Sequence, residues 1–348
     1  MLGFSSECVA MHNSSEKWLN TLSHCLCNKV LVLITVAYHE PAITGDYFQS
    51  SSTAFQTPSL VVEFSNYSLF LFGKVSPSRF NMTVTQYDGI ANSYNILDQL
   101  PYRVMETQNI KAAVLPFLKP DMKAVEFACG TGFYTAKLRD WGCGEVTAMD
   151  ISAPMVQLCK ARFPKDVEEG KIRLVEADGA VPQALSPDGS ERYFNLAFAC
   201  WFLNYAANRE QLVSMFKMAA VNLQDDGVFV TVVPHPTEAL ALRAAAWNSR
   251  PMTAIRPLYR YPSELESGEG WNLQIVLSDD VTFSAYHLRQ HLYEEAARLG
   301  GFNGRIEWKR EVLLGPEWLK EYQPSFTPAD WKIREANPML GILVVHKN

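Results

Sequence analysis

The chain has 348 residues, 48% hydrophobic and 20% charged, with a formal net charge of −6; this is globular composition with length for one large domain or two smaller ones. No block of Lys and Arg stands out, so the basic face with which a nucleic-acid binder neutralises phosphates is not expected. The seven cysteines include no C-x-x-C pair, only the C-x-C of Cys25 and Cys27, which argues against a disulfide scaffold or a zinc site and for reduced thiols in a cytoplasmic protein.

Residues 1–81 are rich in Ser, Thr and Asn and show little periodicity, as in a loosely organised extension separate from a domain over 82–348. Two apolar stretches within it, Val30 to Tyr38 and Leu60 to Phe72, suit strands or a hairpin. Neither reaches the ~20 apolar residues of a membrane span. The run at Val30 also lies too deep behind a polar start for a secretory signal, so no membrane partner is expected. The glycosylation patterns at Asn13, Asn66 and Asn81 are then chance matches. Met82 offers an alternative start, which intact mass of the native protein would test.

From about Gln86 strands alternate with helices. Strands are expected at Lys123 to Ala128, Glu145 to Asp150, Lys171 to Ala177 and Phe194 to Cys200, the last apolar throughout and so buried on both faces. Helices are expected at Thr135 to Trp141, at Pro154 to Phe163, where Pro suits a first turn, and at Arg209 to Leu223. Asp226-Gly227 then turns the chain into a fifth strand, Val228 to Val233. Beyond Pro234 the alternation pauses. Trp271 to Leu277 and Val281 to Tyr286 read as a hairpin joined by Ser278-Asp279-Asp280. A helix from Leu288 to Leu299 is closed by Gly300-Gly301, Gly suiting a left-handed cap. Arg305 to Leu314 and Gly341 to His346 complete seven strands, separated by a long connection from Pro316 to Pro338. The expected fold is therefore α/β and Rossmann-like: a mostly parallel seven-stranded sheet with helices on both faces. An N-terminal helical lid and an insertion at about 234–286, after the fifth strand, would be added to it.

The strongest local signal is Val125-Glu-Phe-Ala-Cys-Gly-Thr-Gly132, an acid at a strand end followed by small residues and a helix. Small residues let backbone approach a ligand, and the helix start offers free N–H groups to a negative group. Glu126 suits a ligand with a cationic group. The same segment also reads as a plain tight turn, or as a dinucleotide fingerprint in which Thr135 stands at the third glycine position. Asp150 ends the second strand and could accept from both ribose hydroxyls, or simply cap the next helix. Asp178-Gly179 follows the third strand, as a receiver for an exocyclic amine or as an ordinary Asp-Gly turn. Three acids ending three successive strands would converge on one crevice.

These residues resemble the class I S-adenosylmethionine-dependent methyltransferases, whose first motif is similar to Glu126-Phe-Ala-Cys-Gly-Thr-Gly132. The resemblance spans roughly Gln86 to His346. It implies S-adenosylmethionine as cofactor, held by Glu126, Ala128, Cys129, Gly130, Gly132, Asp150, Ile151, Asp178, Gly179 and Cys200. A closer likeness, to small-molecule methyltransferases of the toxoflavin synthase type, rests on four stretches: Tyr87-Asp-Gly-Ile-Ala-Asn-Ser-Tyr94, Leu100-Pro-Tyr-Arg103, Ala128-Cys-Gly-Thr-Gly-Phe-Tyr-Thr135 and Phe202-Leu-Asn-Tyr-Ala206. It implies that Tyr94 covers the methionine end of the cofactor, that Arg103 pairs with its carboxylate, and that Tyr87, Asn204 and Tyr205 face the acceptor. Ala128 departs from the family's commoner Gly.

Methyl transfer from a sulfonium needs alignment and water exclusion more than a dedicated catalyst. If a base is used, His235, just past the fifth strand, is the candidate. His287 and His291 would share a helix face, but without Glu in His287-Leu-Arg-Gln-His291 the pattern is not a metal motif, and no metal is expected. Amino-methylases carry an Asn/Asp-Pro-Pro-aromatic loop after the fourth strand, where this chain has Cys200-Trp-Phe-Leu-Asn204. That apolar segment, roofed by the insertion, favours a small organic acceptor; the resemblance implies an N or O nucleophile and a role in specialised metabolism. The competing readings are a nicotinamide-dependent oxidoreductase and a non-catalytic methyltransferase-like binding protein.

Overall fold

The computed structural model describes residues 85–89, 93–250, 256–315 and 328–348, with the strand segments 24–27 and 30–33. The chain divides into two compact units, Met1–Asn81 and Met82–Asn348. In the first, β1 (His24–Cys27) pairs antiparallel with β2 (Val30–Leu33). The apolar run from Val30 is thus the second arm of a hairpin whose first arm precedes it. Leu60 to Phe72 and the three Asn patterns lie outside the described residues.

The second unit starts from five strands, β3 (Lys123–Phe127), β4 (Glu145–Asp150), β5 (Ile172–Glu176), β6 (Phe194–Cys200) and β7 (Leu223–Pro234). An insertion follows with β8 (Leu258–Arg260), β9 (Gly270–Val276) and β10 (Thr282–Leu288), then β11 (Ile306–Arg310) and β12 (Leu340–His346). The main sheet has seven strands in the order β11-β12-β7-β6-β3-β4-β5. From β7 to β5 neighbours run parallel, whereas β12 is antiparallel to both β7 and β11. Strand order reverses between β3 and β6, and a ligand crevice opens beyond the carboxyl ends at such a reversal.

Alternation along β6 sets the two cores. Leu196 and Phe198 join one cluster and Ala197 and Ala199 the other, all of them fully buried. Helices α2 (Phe133–Asp140) and α3 (Ala153–Arg162) follow β3 and β4. Ser152 caps α3 by accepting from the Met155 N–H at 3.4 Å, and Pro154 occupies its first turn. The short α4 (Pro164–Glu168) leads to β5. Asn208 caps α5 (Arg209–Asn222), accepting from the Gln211 N–H at 3.0 Å.

The expected Asp226-Gly227 turn is a bulge inside β7. Pairing with β6 jumps from Phe194↔Leu223 to Leu196↔Val228, so residues 224–227 loop out without ending the strand. Helix α7 (Gln290–Leu299) packs on α5, and a Cβ on Gly300 would lie 2.4 Å from Phe216 Cβ. Close approach therefore explains Gly300, while Gly301 takes the left-handed conformation at φ +99°. His287 and His291 do not share a helix face: His287 is on β10 and His291 on α7.

The expected N-terminal helical lid has a helix with bounds the sequence did not set, and two further helices were not expected. α1 (Pro101–Val114) begins on a proline after a turn of 3-10 helix. α6 (Leu240–Asn248) opens the insertion. α8 (Pro328–Ala336) lies in the connection ahead of β12, where Glu311 receives Arg334 at 2.6 Å and the Met339 N–H at 2.8 Å. The insertion folds as an antiparallel sheet, β10-β9-β8. A buried relay ties it to the main sheet. Arg243 Nε donates to Tyr261 Oη at 2.8 Å, Tyr261 Oη and His287 Nδ1 lie 2.9 Å apart, and His287 Nε2 is 3.1 Å from the His235 carbonyl.

Candidate active site

Register aligns the strand ends: Phe127 pairs with Met149 on one side and Ala199 on the other, and Asp150 pairs with Glu176. The loop after β3 is wound by left-handed residues, with φ of +55° at Ala128, +54° at Gly130 and +86° at Gly132. Ala128 bears the Cβ that this conformation disfavours, by about 1 kcal/mol or more. Gly132 cannot carry one, because it would meet Cys159 Sγ at 2.6 Å. The Cys129 N–H donates to the Met149 carbonyl at 2.9 Å, holding the loop to β4. No side chain caps the N-terminus of α2, which leaves its first N–H groups for an anionic ligand group.

The Asp150 carboxylate organises the crevice. Its Oδ2 accepts from the Gly130 N–H at 2.8 Å and its Oδ1 from the Ser152 N–H at 2.9 Å. Each oxygen keeps a second lone pair, so the carboxylate can accept from the two hydroxyls of a ribose diol. Burial raises its pKa, opposed by those amide bonds. Ile151 beside it is exposed. Asp178 is also exposed and folds onto the Ala180 N–H at 2.8 Å, while Gly179 is pressed against the Phe202 ring.

Glu126 and Arg103 both meet partners within the protein. Glu126 is 2% exposed and accepts from Thr135 Oγ1 at 2.6 Å, and burial drives its carboxyl well above the usual range. It braces the loop against α2 and does not present a charge outward. Arg103, expected to receive the cofactor's carboxylate, is buried on protein carboxylates. It bonds to Glu106 and lies 3.3 Å from Asp98, with its guanidinium 4.4 Å above the Phe133 ring.

Tyr94 stands over the loop, its Cε1 4.0 Å from where a Gly130 Cβ would be. Tyr87 meets Tyr94 edge-on at 5.7 Å, and its hydroxyl bonds to that of Tyr205. Asn204 is buried near them. Cys200 ends β6; burial, then Glu106, raise its thiol well above the usual range, which keeps it neutral. His235 is poorly built for a base. Burial and then Arg243 lower it to about 4, and its Nδ1 lies 3.4 Å from the Leu340 carbonyl.

Beyond these residues lies a narrow slot with a cavity volume of about 30 Å³. One wall is a face of the cap sheet, on which Leu273, Ile275 and Leu277 alternate and Phe283 sits opposite Ile275. Tyr94, Tyr102, Trp201 and Pro234 supply the other side. The floor holds a group that the sequence did not single out. Glu106 is fully buried and accepts from Arg103, from Tyr134 Oη at 2.7 Å and from Trp201 Nε1 at 2.8 Å. Its spacing of three from Arg103 on a proline-led helix was the available signal.

Residues 124–227 match the family model described as a methyltransferase domain. No curated protein matches the chain. Among solved structures it is similar to an S-adenosylmethionine-dependent methyltransferase from Clostridium acetobutylicum, at 18% identity over 75% of this chain and 99% of that one, with a TM-score of 0.48. It is also similar to the PH0226 protein of Pyrococcus horikoshii, at 14% identity over 71% and 91% with a TM-score of 0.47. A third, an S-adenosylmethionine-dependent methyltransferase from Mesorhizobium loti, shares 17% identity over 68% and 97% with a TM-score of 0.42. The family match spans the glycine loop, Asp150 and the end of β6, so the methyltransferase-domain match falls on the part of the Rossmann-like sheet where the strand-end crevice opens.

Proposed function

We propose that the chain is an S-adenosylmethionine-dependent methyltransferase that acts on a small organic acceptor bound in the slot between α1, the ends of β6 and β7, and the cap sheet. The observation that carries the reading is the slot's place: it shares Tyr94 with the cofactor loop and begins where β6 and β7 end. S-adenosylmethionine supplies a methyl group already activated on its sulfonium. The chain's residues then have three tasks. Asp150 and the N-terminus of α2 orient the ribose and the anionic methionine end. Tyr94 and the apolar slot keep water from the reacting atoms. The acceptor is held in line, which supplies several kcal/mol, up to ~10, of the barrier.

No side chain in this reading must take the acceptor's proton. His235 at about 4 is a weak base, and the slot opens to solvent, which receives the proton. The likeness to methyltransferases of the toxoflavin synthase type supports specialised metabolism in the cytoplasm, with neither nucleic acid nor membrane as partner. Incubating the enzyme with methyl-labelled S-adenosylmethionine and a metabolite extract tests it, with mass spectrometry of the products. A labelled small molecule whose formation is lost in Asp150→Ala is expected. Label passing only to protein or RNA would overturn the reading.

A further inference from the structure

At about 30 Å³ the slot under the cap sheet has room for about two waters and not for an organic molecule. Asn204 Oδ1 and Tyr102 Oη belong to its lining and are buried without a hydrogen bond, a complement that waters of that number would serve. The cofactor loop is covered as closely. Tyr94 Cε1 stands 4.0 Å from where a Gly130 Cβ would be, which leaves one atom's width between ring and backbone. Both halves of the site are therefore shut, and each must open to take its substrate.

One short segment ties the two halves together. Gln86 pairs with the edge strand β10 as a neighbouring strand would: its Nε2 donates to the Ser284 carbonyl at 2.9 Å and its Oε1 accepts from the Ser284 N–H at 2.9 Å. Tyr87 lies against Phe283 of β10 at 5.6 Å and meets Tyr94 at 5.7 Å, and its hydroxyl bonds to that of Tyr205 beyond β6. Asp88 Oδ1 accepts from Ser152 Oγ at 2.7 Å, and the Ser152 N–H in turn donates to Asp150. Thr85 folds the segment on itself, donating to Asp88 from its N–H at 3.1 Å and from its hydroxyl at 2.8 Å. Three successive residues thus join the cap strand, the end of β6 and the cofactor end of β4. Gln86 is exposed and the others are half-buried, so each bond competes with water and is weak alone. A segment held in this way is closed most of the time and opens without unfolding the domain.

We propose that residues 85–88 form a strap whose release opens the cofactor crevice and the acceptor slot together, so that one motion sets the exchange of both substrates. The proposal rests on the methyltransferase reading of the site. Gln86 grips only the Ser284 backbone, at the cap end of the strap. Loosening it raises the open fraction of free and bound protein alike. Association and dissociation of the cofactor then quicken together, and the affinity is kept. A residue that merely touched the ligand would change dissociation alone.

Surface plasmon resonance with S-adenosylhomocysteine over the immobilised full chain tests this. Gln86→Ala should raise both rate constants roughly fivefold or more, the scale of two exposed hydrogen bonds, and hold the dissociation constant within about twofold. Tyr87→Phe, which removes only the bond to Tyr205, should move both rates the same way by a smaller factor. Thermal unfolding checks that each variant keeps its fold, as the exposure of Gln86 leads one to expect. Unchanged rates in both variants, or faster dissociation with association unaltered, would overturn the strap alone. Failure of the wild-type chain to bind S-adenosylhomocysteine at all would overturn the methyltransferase reading and the strap with it.

Discussion

Glu106 gives the sharpest test of how the lid helix is joined to the site. Its carboxylate has no exposure and serves Arg103, Tyr134 and Trp201, which come from α1, α2 and the end of β6. Trp201 is held in a left-handed conformation, φ +62°, and its indole N–H is fixed by Glu106. Glu106→Ala leaves the Tyr134 hydroxyl and the Trp201 N–H unpaired, at about 1–3 kcal/mol each. It also takes from a buried guanidinium its nearest partner, at about 3–5 kcal/mol. Asp98 remains beside Arg103 and softens that last cost. The sum of about 5–10 kcal/mol is comparable with the whole stability of a domain, so the variant should not accumulate folded. Glu106→Gln keeps one acceptor oxygen but loses the charge and points an N–H at another donor, and should cost about 3–5 kcal/mol. Adding Arg103→Met to Glu106→Gln removes the unpaired cation and should recover most of that loss. Urea unfolding followed by far-UV circular dichroism reads all three proteins. A loss below about 1 kcal/mol for Glu106→Gln, or purely additive effects in the double variant, would refute the hub.

The cap should loosen in acid through His287. It is fully buried; burial first, then Arg243, hold its pKa well below 6.5, and Nδ1 faces the Tyr261 hydroxyl. The unfolded chain takes a proton near pH 6.5 and the folded one resists, so this stability is present above that value and lost as pH falls below it. Relative to His287→Gln, wild type should lose about 1.4 kcal/mol per pH unit between pH 6 and 5. Parallel curves would contradict the assignment. Gly300→Ala places a methyl 2.4 Å from Phe216 Cβ and should lower stability by about 1–3 kcal/mol in thermal unfolding. An unchanged midpoint would mean that α5 and α7 yield freely.

Much of the main sheet was legible because its strands are short apolar runs between turn residues. Glu145–Asp150 and Phe194–Cys200 stand where the pattern put them. The bounds of the lid helix α1 were hidden because its inner face carries Arg103, Glu106 and Asn109 among apolar neighbours, which blurs a 3.6-residue stripe. Helix α6 has a stripe at Leu240, Ala244 and Trp247, but Arg243 interrupts it. That guanidinium is buried because Tyr261 and the Met339 carbonyl accept from it. The acids at the strand ends could be read, but not which of them face outward. Asp150 and Glu126 look alike in sequence, and only Thr135 across the loop shows that Glu126 is spent on the fold. Asn204 stood in a segment read for its apolar character, and its missing partner is a property of packing alone.

Cofactor choice and the Asp150 carboxylate can be tested together. Calorimetric titration of the full chain with S-adenosylhomocysteine and, separately, with NAD and NADP tests both most directly. One S-adenosylhomocysteine per chain, no heat from either nicotinamide, and at least about tenfold weaker S-adenosylhomocysteine binding in Asp150→Ala are expected, the scale of a charge-assisted hydrogen bond. Binding of a nicotinamide in place of S-adenosylhomocysteine, or unchanged affinity without Asp150, would contradict the proposed function.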